Sequence, residues 1–404
     1  MKKFMRIAFF ALIIVMGAMF QVQAGQKEIH DDVIYVTNSD VSNHNNNDLI
    51  LEELWSIGGE NEDDVIFKYV SSVIRDRDQI YILDTSLSEV HQYTIDGALV
   101  KVHDISGEAA GSCNHPNNIL LLEPGLFGLV KGRPARIIVT DLADNARSSI
   151  YFVNQDVNNQ TSFMVMAIEY SYKQLIVFNE AMHESWGDRA LSIFKLQEGN
   201  YGVEAVEHLR LFSQKTDFSS EIPNEEDQEY YYSKFLSDVS SDGLLYVVPN
   251  RDQYRIEVYD QDGHLKRVVT KEFKSYLRSW DEELYDTYLL SGRYMYPAPY
   301  AAIISGLRID DQGHLWIRHS YSDRGDAYRT YDVFTSDGHY IRTTSLIYPG
   351  NGLRDDVYFL GDGLVAIVKG RMDAERRGFF SENPDSWIEE DLGQVILCRI
   401  VSTQ

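Results

Sequence analysis

Asp76–Val100, DRDQIYILDTSLSEVHQYTIDGALV, decides the fold. Ile80-Tyr81-Ile82-Leu83 is a short apolar run that ends at Asp84. Glu89 to Thr94 alternates polar and apolar residues. Asp96-Gly97 then marks a tight turn, because glycine takes φ > 0 without steric cost. Ala98 to Val102 leaves that turn as a further strand. Phe67 to Ile74, just upstream, supplies an innermost strand, so the stretch belongs to a unit of four short strands.

The unit recurs along the chain. A second runs from about Asn117 to Val153, with NNILLLEPG, LFGLVKG, ARIIVTDL and SSIYFV. A third starts near Phe163 with LIVFN, LSIFKL and AVEHLRLF. A fourth starts near Phe235 with LLYVV and RIEVYDQDGHLKRVV. A fifth starts near Ala301 with LRIDDQGHLWIRH and YDVFTSDGHYIRTTSLI, and a sixth near Val357 with VYFLGDGLVAIVK and QVILCRIV. Units of about 40–70 residues with roughly four strands are the pattern of propeller blades, which bury a core only by stacking on their neighbours. The sixth unit ends after three strands. Leu49 to Ile57 is a spare strand at the other end, and it is expected to complete that unit and remove an open sheet edge.

The expected fold is therefore all-β, a six-bladed β-propeller over residues 49–404 with an N-terminal strand closing the last blade. One inserted helix is expected over Lys271–Ser291, where Leu277, Trp280, Leu284 and Tyr288 have helical spacing. Phe212–Tyr230 and Gly370–Gly393 read as long loops. Residues 1–24 read as a secretory signal peptide: Lys2, Lys3 and Arg6, then the apolar run Ile7–Phe20, then Val22-Gln23-Ala24 as a cleavage site. No cysteine follows that run, so no lipid attachment is expected. Residues 25–48 read as a flexible, Asn-rich lead-in with one strand-like piece, Val33–Val36.

With 37 basic residues against 62 acidic ones, the formal charge is −25. Such a chain is not expected to bind nucleic acid or anionic membranes. The two cysteines, Cys113 and Cys398, form no CxxC motif. An oxidising compartment permits a bridge, but two distant cysteines are not a disulfide framework.

VIRDRDQIYILDTSLSEVHQYTIDGALV and LRIDDQGHLWIRHSYSDRGDAYRTYDVFTSDGHYI resemble repeats of NHL-like six-bladed β-propellers, in particular those of exported bacterial proteins. LEELWSIGGENEDDVIF resembles the segment that leads into the first blade of that group. The resemblance implies a periplasmic or secreted location, and it covers binding scaffolds and enzymes alike. It also implies that the loop after each blade's second strand reaches one common face.

That register collects Asp84, Lys131, Asn179, Pro249, His319 and Lys369, and two residues on, Arg133, Arg251 and Arg371. Lys131-Gly132-Arg133 and Lys369-Gly370-Arg371 repeat a tripeptide, and Arg318 lies beside His319. Arginine pairs bidentately with carboxylate, phosphate or sulfate, and lysine acts as a point charge. Trp186, Tyr231 and Tyr296 lie on loops expected to share the face, where aromatic rings suit sugar or peptide stacking. The preferred reading is a monomeric binding module without catalysis, whose partner is an anionic glycan or a peptide or protein segment. No cofactor or metal ligand is assigned. The alternative is a metal-dependent hydrolase or lyase in the channel, drafting Asp84, Asn117, Asn118 and Asn179. Basic residues at the matching positions oppose a divalent cation there.

Overall fold

Every regular element among the described residues is a β-strand. The computed structural model describes residues 26–39, 48–59, 65–107, 112–143, 146–153, 162–171, 174–182, 186–199, 202–217, 236–250, 252–275, 302–319, 328–350, 352, 354–371 and 393–402. The segment read as a signal peptide lies outside them. The chain opens with a hairpin, β1 (Gln26–His30) and β2 (Val33–Asn38), followed by β3 (Leu49–Gly58).

Asp76–Val100 falls in an antiparallel sheet of β4 (Val70–Asp76), β5 (Gln79–Asp84), β6 (Glu89–Thr94) and β7 (Leu99–Asp104). The same antiparallel run of four follows in β8 (Asn118–Glu123), β9 (Leu126–Lys131), β10 (Arg136–Thr140) and β11 (Ala146–Val153). β12 (Ser162–Ser171), β13 (Gln174–Met182), β14 (Trp186–Gly199) and β15 (Gly202–Asp217) make the next, joined to its predecessor by parallel pairing of β15 with β11. β16 (Leu236–Val239) to β19 (Leu265–Lys271) follow through β17 (Leu245–Val248) and β18 (Arg255–Tyr259). β20 (Ile304–Ile309), β21 (Leu315–His319), β22 (Arg329–Phe334) and β23 (Tyr340–Ile347) form another. The last has three strands in sequence, β24 (Asp356–Gly361), β25 (Leu364–Lys369) and β26 (Gln394–Ser402).

β3 supplies its fourth strand. It pairs antiparallel with β26 from Leu49↔Ser402 to Gly58↔Gln394, as the spare-strand reading expects. Its first residues also pair parallel with β23, so these strands share one eight-stranded sheet.

The second strand of each run explains why these segments read as unbroken apolar stretches rather than as alternation. In β5, Ile80 and Ile82 pack with Leu364, Ala366 and Val395, while Tyr81 and Leu83 pack with Ile119, Phe127 and Leu129. In β17, Leu245 and Val247 face Ile176 and Ile193, and Tyr246 and Val248 face Leu307 and Ile317. A strand covered on both faces needs apolar side chains at every position. The remaining clusters join β9 and β10 to β12 and β13, and β21 and β22 to β24 and β25. Each run thus packs face to face on the next and the last on the first, an all-β arrangement of the β-propeller type.

The recurring turn has one construction. At Thr94–Ala98, Asp260–His264, Asp310–His314 and Thr335–His339 the fourth residue is a glycine with φ between +79° and +86°. The first residue's side chain accepts the fifth residue's N–H, as from His314 to Asp310 at 2.7 Å and from His264 to Asp260 at 2.9 Å. Local side-chain acceptors of this kind are why Asp, Ser and Thr favour turns.

One expectation needs correction, and another falls largely outside the described residues. The lead-in is not without structure: Val33–Asn38 adds as a parallel strand to β19, and Gln26–His30 pairs with it. Asn38, buried, holds the join by donating to Thr270 O at 3.1 Å, and it ties the strand to the next run by donating to Gly338 O and accepting the Tyr340 N–H, both at 2.9 Å. The helix expected from Lys271 finds no counterpart among the described residues. Lys271 is the buried last residue of β19, and most of Lys271–Ser291 lies outside them.

Cys113 and Cys398 are both buried and free, in different clusters, Cys113 beside Leu83 and Cys398 beside Val357. Burial pushes the Cys113 thiol up to about 11 and the Cys398 thiol up to about 12. Since the thiolate is the reactive form, the native protein near pH 8 is expected to resist a small thiol reagent, and to expose two titratable thiols once denatured. A thiol that reacts in the native state would contradict this burial.

Candidate functional site

The loops after the second strands are tied down by backbone and carboxylate contacts. Asp84, fully buried, accepts N–H bonds from Lys68 at 2.6 Å and Leu87 at 3.0 Å, so it braces its own loop. Lys369 forms an ion pair with Asp355 at 3.1 Å, and its Nζ lies 5.5 Å from the Tyr348 ring centre and 5.9 Å from that of Tyr328. Asp355 also accepts the Gly370 N–H at 2.9 Å and the Tyr328 hydroxyl at 2.7 Å. Arg371 pairs with Asp356, donates to the Tyr358 hydroxyl at 2.7 Å and lies over the Tyr69 ring. Burial acts to raise Asp356, but Arg371, Arg329 and Arg308 prevail and hold its carboxyl at about 2. Two of the cations expected to meet an anionic ligand, Lys369 and Arg371, are therefore already paired with neighbouring acids.

The equivalent loop of the second run differs. Gly132 O accepts the Val165 N–H at 3.1 Å, and Asn117 Nδ2 donates to Val165 O at 2.8 Å, which anchors Lys131-Gly132-Arg133 against the innermost strand β12. Lys131 is half-buried and Arg133 exposed, and neither is ion-paired with a described carboxylate. Arg318 donates through Nε to Ser305 Oγ at 2.8 Å. His319 ends β21. Trp186 begins β14, with Lys215 Nζ 5.1 Å from its ring centre. Arg251, Tyr231 and Tyr296 lie outside the described residues.

A second group of charges, which the register argument misses, lies on the innermost strands. Asp238 of β16 accepts the Ile309 N–H at 2.7 Å through Oδ2 and the Val239 N–H at 2.8 Å through Oδ1, stitching β16 to β20. Among the described residues the Arg308 side chain of β20 makes one hydrogen bond, from Nη1 to Leu307 O at 3.0 Å. Burial opposes the Arg308 charge, while Asp238, Asp356, Glu169 and Tyr358 favour it and raise its pKa. Those partners come from β16, β24 and β12, so the guanidinium lies among several first strands at the middle of the ring. Glu169 of β12 has Oε2 buried and without a hydrogen-bond partner. Burial first, then Asp238, raises its pKa well above the ordinary carboxylate range, with Arg308 opposing. Asp238 is likewise raised by burial, against Arg308 and its two backbone donors. The sequence signal is a single charge inside a strand that is otherwise apolar, as in AIEYS, LSDV and GLRI. Among the described residues no group of three or more His, Cys, Asp or Glu side chains is placed to hold a metal ion.

No family model and none of the curated proteins matches this chain. Solved structures do. A member of the DUF4221 family from Bacteroides vulgatus is 10% identical, with 89% of this chain and 100% of that chain covered at a TM-score of 0.49. The calcium-binding protein regucalcin from Agrobacterium tumefaciens is 13% identical, with 87% and 96% covered at a TM-score of 0.42. Virginiamycin B lyase from Staphylococcus aureus is 10% identical, with 85% and 97% covered at a TM-score of 0.38. At such identities no activity carries over, and the fold assignment rests on the strands and clusters described above.

Proposed function

We propose that this protein is an exported, six-bladed, NHL-like β-propeller that holds an anionic ligand, an acidic glycan or acidic peptide segment, without transforming it. The blade count is supported by the apolar clusters, which link each run of strands to the next and the last to the first. Export is supported by the leader-like sequence of residues 1–24.

The observation that carries the binding reading is the Lys131-Gly132-Arg133 loop. It is pinned by backbone bonds to the start of β12, and its two cations lack a described acid partner in a chain of net charge −25. In so acidic a chain an unneutralised pair on an anchored loop is poised for an anion from outside.

The experiment is calorimetric titration of the mature protein with sulfated, carboxylated and neutral oligosaccharides and acidic peptides. The expected result is binding of acidic ligands that weakens with salt. Lys131→Ala with Arg133→Ala should reduce affinity roughly tenfold, as expected for two partly solvated charge-assisted contacts. Binding of neutral ligands only, or unchanged affinity in the double variant, would defeat the reading.

A further inference from the structure

We propose that Arg308, in the middle of the ring, anchors a carboxylate group of the ligand, with the Glu169 carboxyl as its hydrogen-bonding companion. The proposal takes the ligand's negative sign from the reading above and adds a second, deeper point of attachment.

The first argument is donor capacity. A guanidinium carries five N–H donors in a planar fork. Arg308 spends one, on Leu307 O, and makes no ion pair with a described residue. Asp238, the acid that most favours its charge, has Oδ2 on Ile309 N–H and Oδ1 on Val239 N–H. Asp356 is engaged by Arg371. The fork is therefore uncommitted although burial opposes its charge, and a half-buried guanidinium with open donors is the geometry that bidentate carboxylate recognition uses.

The second argument is Glu169. Its Oε2 is buried with no partner, a costly state for an oxygen in this setting. Burial and the neighbouring Asp238 favour its protonated form, which turns that oxygen into a potential donor. Arg308 and a protonated Glu169 together present N–H and O–H groups, which suit an anion and not an ammonium. Glu169, Asp238 and Arg308 each keep partial exposure, so solvent reaches the space they line.

The third argument is position. β12 runs from Val165, where the Lys131-Gly132-Arg133 loop is anchored, down to Glu169. Four residues of strand span about 13 Å. A short acidic oligosaccharide or peptide bridges that distance, with one acidic group at the rim and one beside Arg308.

The groups facing Glu169 are Asp238 from β16 and Arg308 from β20, with Asn118 of β8 donating to the adjacent Ile168 O at 3.3 Å. Anion binding should be tightest while Glu169 holds its proton and should weaken as pH rises through its ionisation.

The test is glucuronate titrated into the mature protein, followed by calorimetry and thermal shift, with glucose and ethylammonium as controls. Glucuronate should raise Tm, and the two controls should not. Arg308→Met should weaken glucuronate binding at least tenfold, Arg308→Lys less, and Glu169→Gln should keep binding at neutral pH while flattening the loss at higher pH. If Arg308→Met does not fold, the Arg308→Lys and Glu169→Gln pair decides. No response to glucuronate, equal binding in the Arg308 variants, or a response to ethylammonium instead would overturn the proposal. Acidic oligosaccharide binding that depends on Lys131 and Arg133 but not on Arg308 would leave the rim reading intact and remove this one.

Discussion

A mature chain lacking everything through Ile57 is expected to lose cooperative unfolding and to aggregate, whereas one lacking only the Gln26–Asn38 hairpin should still fold. The difference lies in what each segment covers. β3 pairs with β26 along its whole length and with the end of β23, so its removal bares hydrogen-bonding edges on both sides of one sheet. It also withdraws Leu49 and Leu51 from the cluster that joins β21 and β22 to β24 and β25. Trp55 goes with it, whose indole N–H donates to Ile95 O at 2.9 Å and whose ring lies 6.0 Å from that of Tyr93. A buried leucine contributes about 1.5–3 kcal/mol and a tryptophan deletion costs about 3–5 kcal/mol. Their sum approaches the whole stability of an ordinary domain, about 5–15 kcal/mol. The hairpin covers one outer edge and contributes the buried Val36 and the Asn38 bonds, a smaller share. Urea unfolding followed by far-UV circular dichroism separates the cases. A chain without β3 that unfolds at the same midpoint as the intact protein would show that β3 does not close the structure.

The parts of this fold that are legible in the sequence are those whose burial leaves a simple pattern. β5, β17 and β25 read as strands because both faces are covered and the runs Ile80–Leu83, Leu245–Val248 and Leu364–Val368 are apolar throughout. The turn at Asp96-Gly97 reads correctly because it needs a positive φ, and Gly263 and Gly338 repeat that conformation. β1 was not legible: all five of its residues are exposed, so no apolar period marks it, and its place comes from pairing with β2. β14 and β15, 14 and 16 residues long, extend well past the apolar pieces LSIFKL and AVEHLRLF, in a stretch held by backbone pairing and polar contacts rather than by an apolar period. The site was legible in part for a similar reason. Register located the loop cations, but it could not show that Asp355 and Asp356 return to meet Lys369 and Arg371. Nor did it show Arg308, Asp238 and Glu169 as one group, because they come from three separate runs and nothing in the sequence links one inward charge to the next.

Replacing Asp332 with alanine is expected to cost about 3–5 kcal/mol, the range for stranding a buried partner charge. Lys271 and Asp332 form an ion pair at 3.2 Å with side chains 2% and 0% exposed. The Tyr254 hydroxyl donates to Asp332 Oδ2 at 2.8 Å and the Thr343 hydroxyl to Oδ1 at 2.6 Å. The ammonium also lies 4.6 Å from the Tyr340 ring centre and 5.6 Å from that of Tyr254. With the carboxylate gone, the buried ammonium loses its ion-pair partner, and the two hydroxyls lose this acceptor. Lys271→Met with Asp332→Leu removes both charges and fills the space with apolar atoms. It should be less damaging than Asp332→Ala alone, because the desolvation cost of the pair disappears with the pair. Urea midpoints of Lys271→Met, Asp332→Leu and the double variant make the cycle, with Asp332→Ala measured beside them. A double variant as unstable as the sum of the singles would mean that each side chain acts through its own packing. A double variant above Asp332→Ala would place the cost in the unpaired ammonium. That result would also explain why β19 ends on a lysine that looks, in the sequence, like the polar start of a helix.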